Sequence, residues 1–253
     1  METHGRSSAT PMTEWQPATL IETYKIASDV ASLTFRLQEW TAHVPGQHYS
    51  IKLTSPNGYS AQRDYSVASS PEQGGKVEFG VKYLEGGEVS PYLHTMKIGQ
   101  QVELRGPLGG HFTWNTSMQG PLVLVGGGTG VVPLVSMIRH LMRHIDTEST
   151  REVILLGSFK SVDYILYHDE LEDYAQKHKN FKLIFTLTRE TPPWWNGYRS
   201  RINRDILKEV FGHLKDQSPL SYVCGPTAFV ESVASGLVSL GFDTLSIKTE
   251  RFG

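Results

Sequence analysis

PLVLVGGGTGVVP, residues 121–133, is the stretch of sequence that decides the fold. Its apolar residues 122–125 predict a short buried strand, and the run after the glycines has the spacing of an amphipathic helix. A strand that ends in glycines and continues as a helix leaves backbone N–H groups without intrahelical partners, and the helix dipole adds positive potential there. The stretch therefore predicts an anion-binding turn at a strand–helix junction.

The glycine loop, residues 126–130, differs from the common nucleotide-binding motifs. The dinucleotide fingerprint has glycines at its first, third and sixth positions, whereas the sixth position counted from Gly126 is Val131. The loop also lacks the Lys-Ser or Lys-Thr pair of a Walker motif. A second glycine turn, CGP at 224–226, ends a later strand, and two such turns on one sheet edge can hold both ends of a dinucleotide. A glycine-rich turn without a ligand is the alternative.

The chain downstream of about residue 115 alternates between strand and helix patterns. The spacing predicts strands at 153–156, 181–187, 220–224 and 245–248, and helices at 131–145, 164–175, 204–211 and 228–240. Strands and helices that alternate in this way form a parallel sheet covered by helices. We therefore predict a Rossmann-like α/β domain over residues 116–253, with its boundary in the polar, turn-rich segment 113–120.

The first half of the chain has the pattern of an antiparallel β domain. Apolar and polar residues alternate in several runs, such as 33–38 and 77–83, and glycine- and proline-rich turns separate these runs. The pattern predicts a barrel or a sandwich over residues 14–115, interrupted by a short helix near 89–95. Residues 1–13 are polar and predict a disordered leader rather than a signal peptide.

The composition argues against several classes of function. The 253 residues include 24 basic and 26 acidic side chains, so the net charge does not favour nucleic acid as a partner. No apolar run has the length of a membrane span. The single cysteine, Cys224, excludes an internal disulfide and a cysteine-ligated iron–sulfur cluster within this chain. We expect a cytoplasmic protein that is a monomer.

The ends of the next two predicted strands indicate which nicotinamide nucleotide binds. An acidic residue there would accept a hydrogen bond from a free ribose 2′-hydroxyl, but Ser158 and Lys160 stand at the first strand end. Thr188 and Arg189 follow the second strand, and hydroxyl and cationic side chains favour a 2′-phosphate. These residues favour NADPH over NADH, with solvated loop charges as the alternative.

A second candidate site lies in the first half. Arg63 and Tyr65 fall on one face of a predicted strand, and a cation beside an aromatic ring suits a planar, phosphorylated ligand. The turn at Gly86 and Gly87 enters the short helix near Ser90 and predicts another anion site. Taken singly, the strand face is also compatible with a surface arginine, and Ser90 with a helix cap.

Four motifs follow one another along the chain: RDYSVASS at 63–70, GGEVSPYLH at 86–94, GGGTGVVP at 126–133 and CGP at 224–226. In this order and spacing they resemble the ferredoxin–NADP reductase superfamily, over nearly the whole chain. The resemblance implies a six-stranded antiparallel β-barrel that binds FAD, followed by a parallel-sheet domain that binds NAD(P)H. With one cysteine, the chain resembles the oxygenase-reductase type without an iron–sulfur domain.

The resemblance implies roles for individual residues. Arg63 would contact the flavin pyrophosphate, Tyr65 would stack on the isoalloxazine ring, and Ser66 would form a hydrogen bond near its N5 atom. The other cofactor-binding positions predicted in the first half are Val67, Ser69, Lys82, Gly87, Val89 and Ser90. Those predicted in the second half are Gly127, Gly128, Thr129, Gly130, Ser158, Lys160, Arg189, Cys224, Gly225, Pro226 and Phe252.

Tyr65, Ser66, Cys224 and Glu250 form the predicted catalytic group. The resemblance implies that Cys224 lies beside the nicotinamide ring as a positioning group, and that Glu250 assists proton or hydride geometry. Phe252 would cover one face of the flavin. From the residues alone, the alternative for Cys224 is an inert core thiol at a strand end, and the C-terminal residues are equally a frayed tail.

We therefore expect an FAD-dependent NAD(P)H oxidoreductase. Hydride would pass from NAD(P)H to the flavin, and electrons would then leave to a separate protein such as a ferredoxin or an oxygenase component. Two alternatives stay open: a reductase that releases free flavin, and a nucleotide-sensing module without turnover.

His140 and His144 have the four-residue spacing of a helical metal site. They stand beside Arg139 and Arg143, off the apolar stripe, and the sequence offers no evident third ligand. We therefore predict a solvated basic face and no metal site. The acidic residues at 169–173 predict a solvated patch in the same way.

Overall fold

The first half of the chain folds into a closed antiparallel β-barrel. This computed structural model describes residues 14–144 and 151–252, so the leader predicted for 1–13 lies outside the described residues. The strands are β1 (Gln16–Ala27), β2 (Val30–Leu37), β3 (His48–Thr54), β4 (Ser60–Ser66), β5 (Lys76–Lys82) and β6 (Gln101–Leu108). Their order in the sheet is β4-β3-β6-β1-β2-β5. An antiparallel bridge from Val67 to Phe79 brings the two ends of this order together.

Aromatic side chains fill the barrel interior. Phe35 and Phe79 have ring centroids 6.1 Å apart, and Tyr49 packs against Phe79 at 6.0 Å. All three are fully buried, and burying a side chain of this size contributes about 1.5–3 kcal/mol. Tyr49 of β3 is paired with Tyr65 of β4. On β4, Arg63 and Asp64 are exposed, whereas Tyr65 and Ser66 are partly buried.

The second half is a parallel sheet with helices on both faces. Its strands are β7 (Leu122–Gly127), β8 (Val153–Phe159), β9 (Phe181–Leu187), β10 (Leu220–Pro226) and β11 (Ile247–Phe252), in the order β11-β10-β7-β8-β9. The helices are α1 (Ser90–Thr95) in the barrel half, then α2 (Val131–His144), α3 (His168–Lys177), α4 (Arg204–Phe211) and α5 (Thr227–Ser239). The predicted two-domain architecture is thus confirmed. Within the described residues, none of the helices has both the length and the apolar character needed to cross a membrane.

The central strand β7 separates two apolar layers. Leu122 and Leu124 belong to the layer that contains α2, whereas Val123 and Val125 belong to the layer that contains α4 and α5. All four side chains are fully buried, which is why β7 is apolar at every position rather than alternating. The carboxyl end of this strand carries the glycine loop.

Two predicted elements begin at the wrong residue. The helix predicted for 164–175 begins at His168, because Val162–Tyr164 forms a 3₁₀ turn and Tyr167 has a left-handed backbone with φ 55°. The strand predicted for 245–248 is Ile247–Phe252, and Leu245 is 89% exposed. Parallel pairing with β10 orders the chain to Phe252, so the described C-terminal residues are not a frayed tail.

The contact between the two domains contains an ion-pair network that the sequence interpretation missed. Arg139 was predicted to be solvated, but it is buried and its guanidinium donates to Glu78 of the barrel at 2.5 Å and to Glu170 of α3 at 2.7 Å. Glu170 therefore does not belong to a merely solvated acidic patch. The Tyr167 hydroxyl also donates to Glu78, at 3.0 Å.

Candidate functional site

Two cavities meet where the barrel faces the carboxyl edge of the parallel sheet. The barrel-side cavity measures about 680 Å³ and is bordered by β4, by the turn 84–90 and by β11. The sheet-side cavity measures about 440 Å³ and is bordered by the glycine loop and by the ends of β8 and β9. Residues that line both cavities are Lys82, Thr129, Pro226 and Phe252.

The glycine loop presents open backbone to the sheet-side cavity. Gly127, Gly128 and Thr129 line it. Gly128 has φ 55°, and no atom lies within 4 Å of the position that a Cβ would occupy there. The opposite holds at Gly130, where a Cβ would overlap the carbonyl of Cys224. One glycine thus leaves room for an approaching anion, while the other lets the loop pack against β10.

Besides Lys82, the sheet-side cavity is lined by two cationic side chains, those of Lys160 and Arg201. Ser158, Lys160 and Thr188 line it as predicted, whereas Arg189 does not. Arg201, which the sequence interpretation missed, lines it instead. Among the described lining residues Asp29 is the one carboxylate, and it lies 3.7 Å from the Lys82 ammonium.

Arg63 and Tyr65 both border the barrel-side cavity. The Arg63 side chain is 60% exposed, and its guanidinium lies 3.8 Å from a Glu88 carboxylate oxygen. Tyr65 packs against Phe79 with ring centroids 6.4 Å apart. Burial raises the pKa of Tyr65 to about 12, so its phenol is neutral at physiological pH. The pair offers an exposed cation next to a partly buried aromatic face.

The glycine turn of the barrel is held by its own hydrogen bonds. The Gly87 N–H donates to the Leu84 carbonyl at 3.0 Å, and the Ser90 hydroxyl oxygen accepts from the Leu84 N–H at 3.1 Å. Gly86 needs its positive φ of 72° to make this turn. Gly87, Val89 and Ser90 all line the barrel-side cavity, and the Ser90 hydroxyl proton remains available to a ligand.

Ser66, Cys224 and Glu250 converge at the junction of the domains. Parallel pairing of β10 with β11 sets Cys224 opposite Glu250, and the thiol lies 4.0 Å from a carboxylate oxygen. Burial and the charge of Asp64 raise the pKa of Glu250 to about 7, while a hydrogen bond with Ser66 opposes the rise. Burial and the Glu250 charge raise the pKa of the Cys224 thiol well above its usual value. Cys224 is therefore a neutral thiol rather than a nucleophile.

Several predicted positions do not reach either cavity. They are Val67, Ser69, Gly130, Arg189, Cys224 and Gly225. Val67 and Ser69 are fully buried, and the Ser69 hydroxyl oxygen accepts a hydrogen bond from the Glu78 N–H at 3.1 Å. The Ser69 hydroxyl therefore supports the barrel instead of lining the flavin site.

The structure also adds lining residues that the sequence interpretation left out. Besides Arg201 they include His48, Asp64, Glu88, Phe229, Ser232 and Arg251. Asp64 and Arg251 directly adjoin predicted site residues along the chain. That position was a sequence signal that they belong to the site. Arg201 had a weaker one, as the second cation of the Arg-Ser-Arg run at 199–201. His48 reaches the site only through strand pairing with Ser66.

These donors fit two nucleotide cofactors. The barrel-side cavity combines Arg63, the Tyr65 ring and the Ser90 hydroxyl, which suit the pyrophosphate and ring of a flavin nucleotide. The sheet-side cavity combines the open backbone at Gly128 with the cations Lys160 and Arg201, which suit a phosphorylated dinucleotide. Because the cavities share lining residues, ligands in them can touch.

Family models match both halves of the chain. An oxidoreductase FAD-binding domain matches residues 17–114. An oxidoreductase NAD-binding domain matches residues 124–235. The two domains therefore bind FAD and a nicotinamide nucleotide, in the order that the motifs predicted.

Curated relatives include reductases of fungi. An NADH-cytochrome b5 reductase 2 of Neurospora crassa is 30% identical over 225 residues, which cover 87% of this chain and 64% of that protein. An NADH-cytochrome b5 reductase 1 of Candida glabrata is 30% identical over 236 residues, which cover 91% of this chain and 81% of that protein. The chain thus spans less than two thirds of the Neurospora relative.

A solved structure shares the arrangement of both domains. The Amycolatopsis cytochrome P450 reductase GcoB superposes with a TM-score of 0.81 at 27% identity, covering 94% of this chain and 70% of that chain. The two matched domains, the Candida relative and this superposition agree with one another. The chain belongs to the ferredoxin–NADP reductase superfamily of FAD- and NAD(P)H-binding oxidoreductases.

Proposed function

We propose that the protein transfers hydride from NADPH to FAD and then passes electrons to a separate one-electron acceptor protein. The observation that carries this proposal is that the two cavities share Lys82, Thr129, Pro226 and Phe252. Ligands with rings at this junction would be in contact, which is what direct hydride transfer requires. Bound FAD supplies the redox chemistry, because it accepts two electrons and can release them singly.

The chain's own residues bind and orient the two cofactors. The open backbone at Gly128 receives the dinucleotide pyrophosphate, and Arg63 leaves Glu88 to neutralise the flavin pyrophosphate. Tyr65 covers one ring face of the flavin, and Phe252, at 39% exposure, covers the junction and excludes water from it.

Glu250 exchanges a proton at the junction of the domains, and its hydrogen bond with Ser66 limits how far its pKa rises. A carboxyl with a pKa of about 7 can hold or release a proton at neutral pH. The thiol of Cys224 is buried and neutral, and it packs beside the Glu250 carboxyl and so keeps that carboxyl in position.

A haem protein such as cytochrome b5 is the acceptor that the relatives support. Their names describe NADH-cytochrome b5 reductases, and the name of the Amycolatopsis protein describes a cytochrome P450 reductase. A ferredoxin or an oxygenase component is the alternative acceptor class. Mixing the reduced protein with a cytochrome b5 and with a [2Fe–2S] ferredoxin, and comparing the second-order rate constants, separates the two.

The preference for NADPH rests on Lys160 and Arg201, which line the sheet-side cavity. The fungal relatives are named for NADH, so this preference is a point at which the chain would differ from them. Arg201→Ala should raise the KM for NADPH roughly 10- to 100-fold, because a charge-assisted hydrogen bond contributes about 1.5–3 kcal/mol, and should leave the KM for NADH unchanged. Arg189→Ala is the matched control, since Arg189 lies outside the cavity. Equal effects of Arg201→Ala on both nucleotides would contradict the preference.

Anaerobic titration of the purified protein tests the function as a whole. We expect bound FAD whose absorbance is bleached by NADPH. A colourless protein that reduces added flavin would instead support a free-flavin reductase. Bound flavin that neither NADPH nor NADH bleaches would support a nucleotide-sensing module.

A further inference from the structure

Glu72 of the barrel domain meets two histidines of the α/β domain. Glu72 lies in the 3₁₀ turn Pro71–Gln73, and His140 and His144 lie one turn apart on α2. One Glu72 carboxylate oxygen is 2.6 Å from His140 Nδ1 and 2.8 Å from His144 Nε2. The sequence spacing predicted no third ligand for these histidines, because Glu72 precedes His140 by 68 residues.

These three side chains have the chemistry of a transition-metal site. Two imidazole nitrogens and one carboxylate oxygen form a ligand set that proteins use for Zn²⁺, with a water at the fourth position. The candidate ligand atoms all lie within 4.8 Å of one another. Two histidines four residues apart on a helix present their rings on the same side.

The surroundings fix the position of His140 and leave that of His144 adjustable. His140 is held by Trp114, whose ring lies edge-on with its centroid 5.9 Å away, and its side chain is 12% exposed. His144 is 46% exposed and can move. Zn–N and Zn–O bonds of about 2.0–2.2 Å separate neighbouring ligand atoms in a tetrahedron by more than a hydrogen bond does. Tetrahedral ligand atoms lie about 3.4 Å apart, so the Glu72 oxygen has to move away from His140 Nδ1 by roughly 0.8 Å and from His144 Nε2 by roughly 0.6 Å. Rotation of the Glu72 side chain together with that of His144 provides this separation, and shifts of about this size are ordinary side-chain motion.

We propose that Glu72, His140 and His144 bind a divalent transition-metal ion, with Zn²⁺ as the best match, and that the ion ties the barrel to α2. The imidazoles bind in their neutral forms, through Nδ1 of His140 and Nε2 of His144, with the proton on the other ring nitrogen. The exposed side of His144 admits the water that completes the coordination. Because α2 begins directly after the glycine loop, the ion would fix the helix that positions this loop.

Metal binding to the untagged, FAD-loaded protein tests the proposal. The protein is stripped with a chelator and dialysed to equilibrium against buffered micromolar Zn²⁺, and bound zinc is measured by mass spectrometry. We expect one ion per chain, and at least tenfold weaker binding in Glu72→Gln and in His144→Gln. His144 is half-exposed, so its replacement preserves folding, which retention of FAD verifies.

His168→Gln provides a matched control. His168 also approaches two carboxylates, Asp169 and Glu172, at 3.3 Å each, so it reports generic binding to histidine and acid pairs. Zinc affinity in this variant should equal that of the wild type. Absence of stoichiometric zinc in the wild type, or full binding in His144→Gln, would overturn the proposal.

A thermal readout tests whether the ion joins the two domains. A ligand that binds only the folded state raises the unfolding temperature. Zn²⁺ should therefore raise the unfolding temperature of the wild type and of His168→Gln, but not that of Glu72→Gln. An equal rise in Glu72→Gln would place the ion elsewhere on the chain.

Discussion

At the scale of single residues, the junction depends on a few side chains whose state is set by their surroundings. Arg63 is exposed, its guanidinium donates to the Gln62 carbonyl at 2.6 Å and it lies 3.8 Å from Glu88. Both are contacts of a solvent-facing side chain, so an arriving phosphate can replace them with stronger charge-assisted hydrogen bonds. Glu250 is the reverse case, because burial and Asp64 make its charge costly. Arg63 is available to the negative charge of a ligand, whereas burial disfavours the charged form of Glu250.

Replacing Arg63 should weaken FAD binding. Loss of a charge-assisted hydrogen bond, about 1.5–3 kcal/mol, predicts that Arg63→Ala raises the Kd for FAD roughly 10- to 100-fold. Flavin fluorescence quenching on titration measures this Kd. Arg36→Ala, at an exposed arginine of β2, is the control. Unchanged FAD affinity in Arg63→Ala would contradict the assigned role.

Glu250 should make stability depend on pH. Its pKa of about 7 in the folded protein exceeds its ordinary value of 4.5, so the folded state binds this proton more tightly than the unfolded state. The favourable contribution is complete below the unfolded pKa and is lost as pH rises from about 4.5 to about 7. Glu250→Gln should remove this slope from the free energy of unfolding, measured in denaturant at pH 5 and pH 8. An exposed glutamate of α5 gives the control, Glu231→Gln; an equal change of slope there would count against Glu250.

At the scale of elements, β10 and the glycine loop form one unit. The carbonyl of Cys224 lies against Gly130 so closely that a Cβ at residue 130 would overlap it. The loop is therefore pressed onto the strand that carries Cys224, while its other side stays open at Gly128. Close packing on one side fixes the anion site on the other.

A methyl group at residue 130 should disturb this unit. Overpacking costs typically about 1–3 kcal/mol, so Gly130→Ala should lower the unfolding temperature and weaken nicotinamide-nucleotide binding together. Differential scanning fluorimetry and nucleotide titration measure the two effects. Gly110→Ala is the matched control, since nothing lies within 4 Å of the added Cβ. Equal unfolding temperatures for the two variants would refute the packing argument.

Sequence patterns predicted most elements because the patterns are local. The apolar run of β7, the helical spacing of α2 and the alternation in β2 and β5 all depend on residues that are neighbours along the chain. These patterns can therefore be recognised from the sequence alone. The start of α3 was wrong because a left-handed Tyr167 interrupts the helical pattern. Both predicted bounds of β11 were wrong because the extent of this strand comes from its pairing with β10.

The sequence singled out cavity-lining residues where they belong to motifs, to predicted strand ends or to the C-terminal run. Arg63, Ser66 and Gly128 border the cavities as expected, because each belongs to a compact run of sequence. Arg201 and Glu72 reach their partners through tertiary packing, and no local pattern marks such contacts. Val67 and Ser69 share a motif with Arg63, yet both come after the end of β4 at Ser66 and are fully buried.

At the scale of the whole molecule, Arg139 joins the domains that hold the two cofactors. Its side chain is 10% exposed and pairs with Glu78 across the domain contact and with Glu170 on α3. The Ser136 hydroxyl adds a hydrogen bond to the Ser69 carbonyl at 2.7 Å. These contacts run along α2, so the helix that directly follows the glycine loop also makes several polar contacts with the barrel.

Removing Arg139 should loosen the whole protein. Breaking a buried ion pair from one side leaves an uncompensated charge, so Arg139→Ala should lower the free energy of unfolding by about 3–5 kcal/mol. Chemical denaturation measures this change, with Arg143→Ala as the exposed control one turn further along α2. A loss below that of Arg143→Ala would contradict the role given to the pair.

The central claim is that the two cavities bring the nicotinamide into contact with the flavin. Stopped-flow reduction of bound FAD with NADPH deuterated at either C4 position tests it most directly. Contact across one fixed face predicts that one of the two labelled positions slows FAD reduction by a primary isotope effect, and that the label is removed from that position only. Reduction without stereochemical preference, or with no isotope effect at either position, would contradict hydride transfer at this junction.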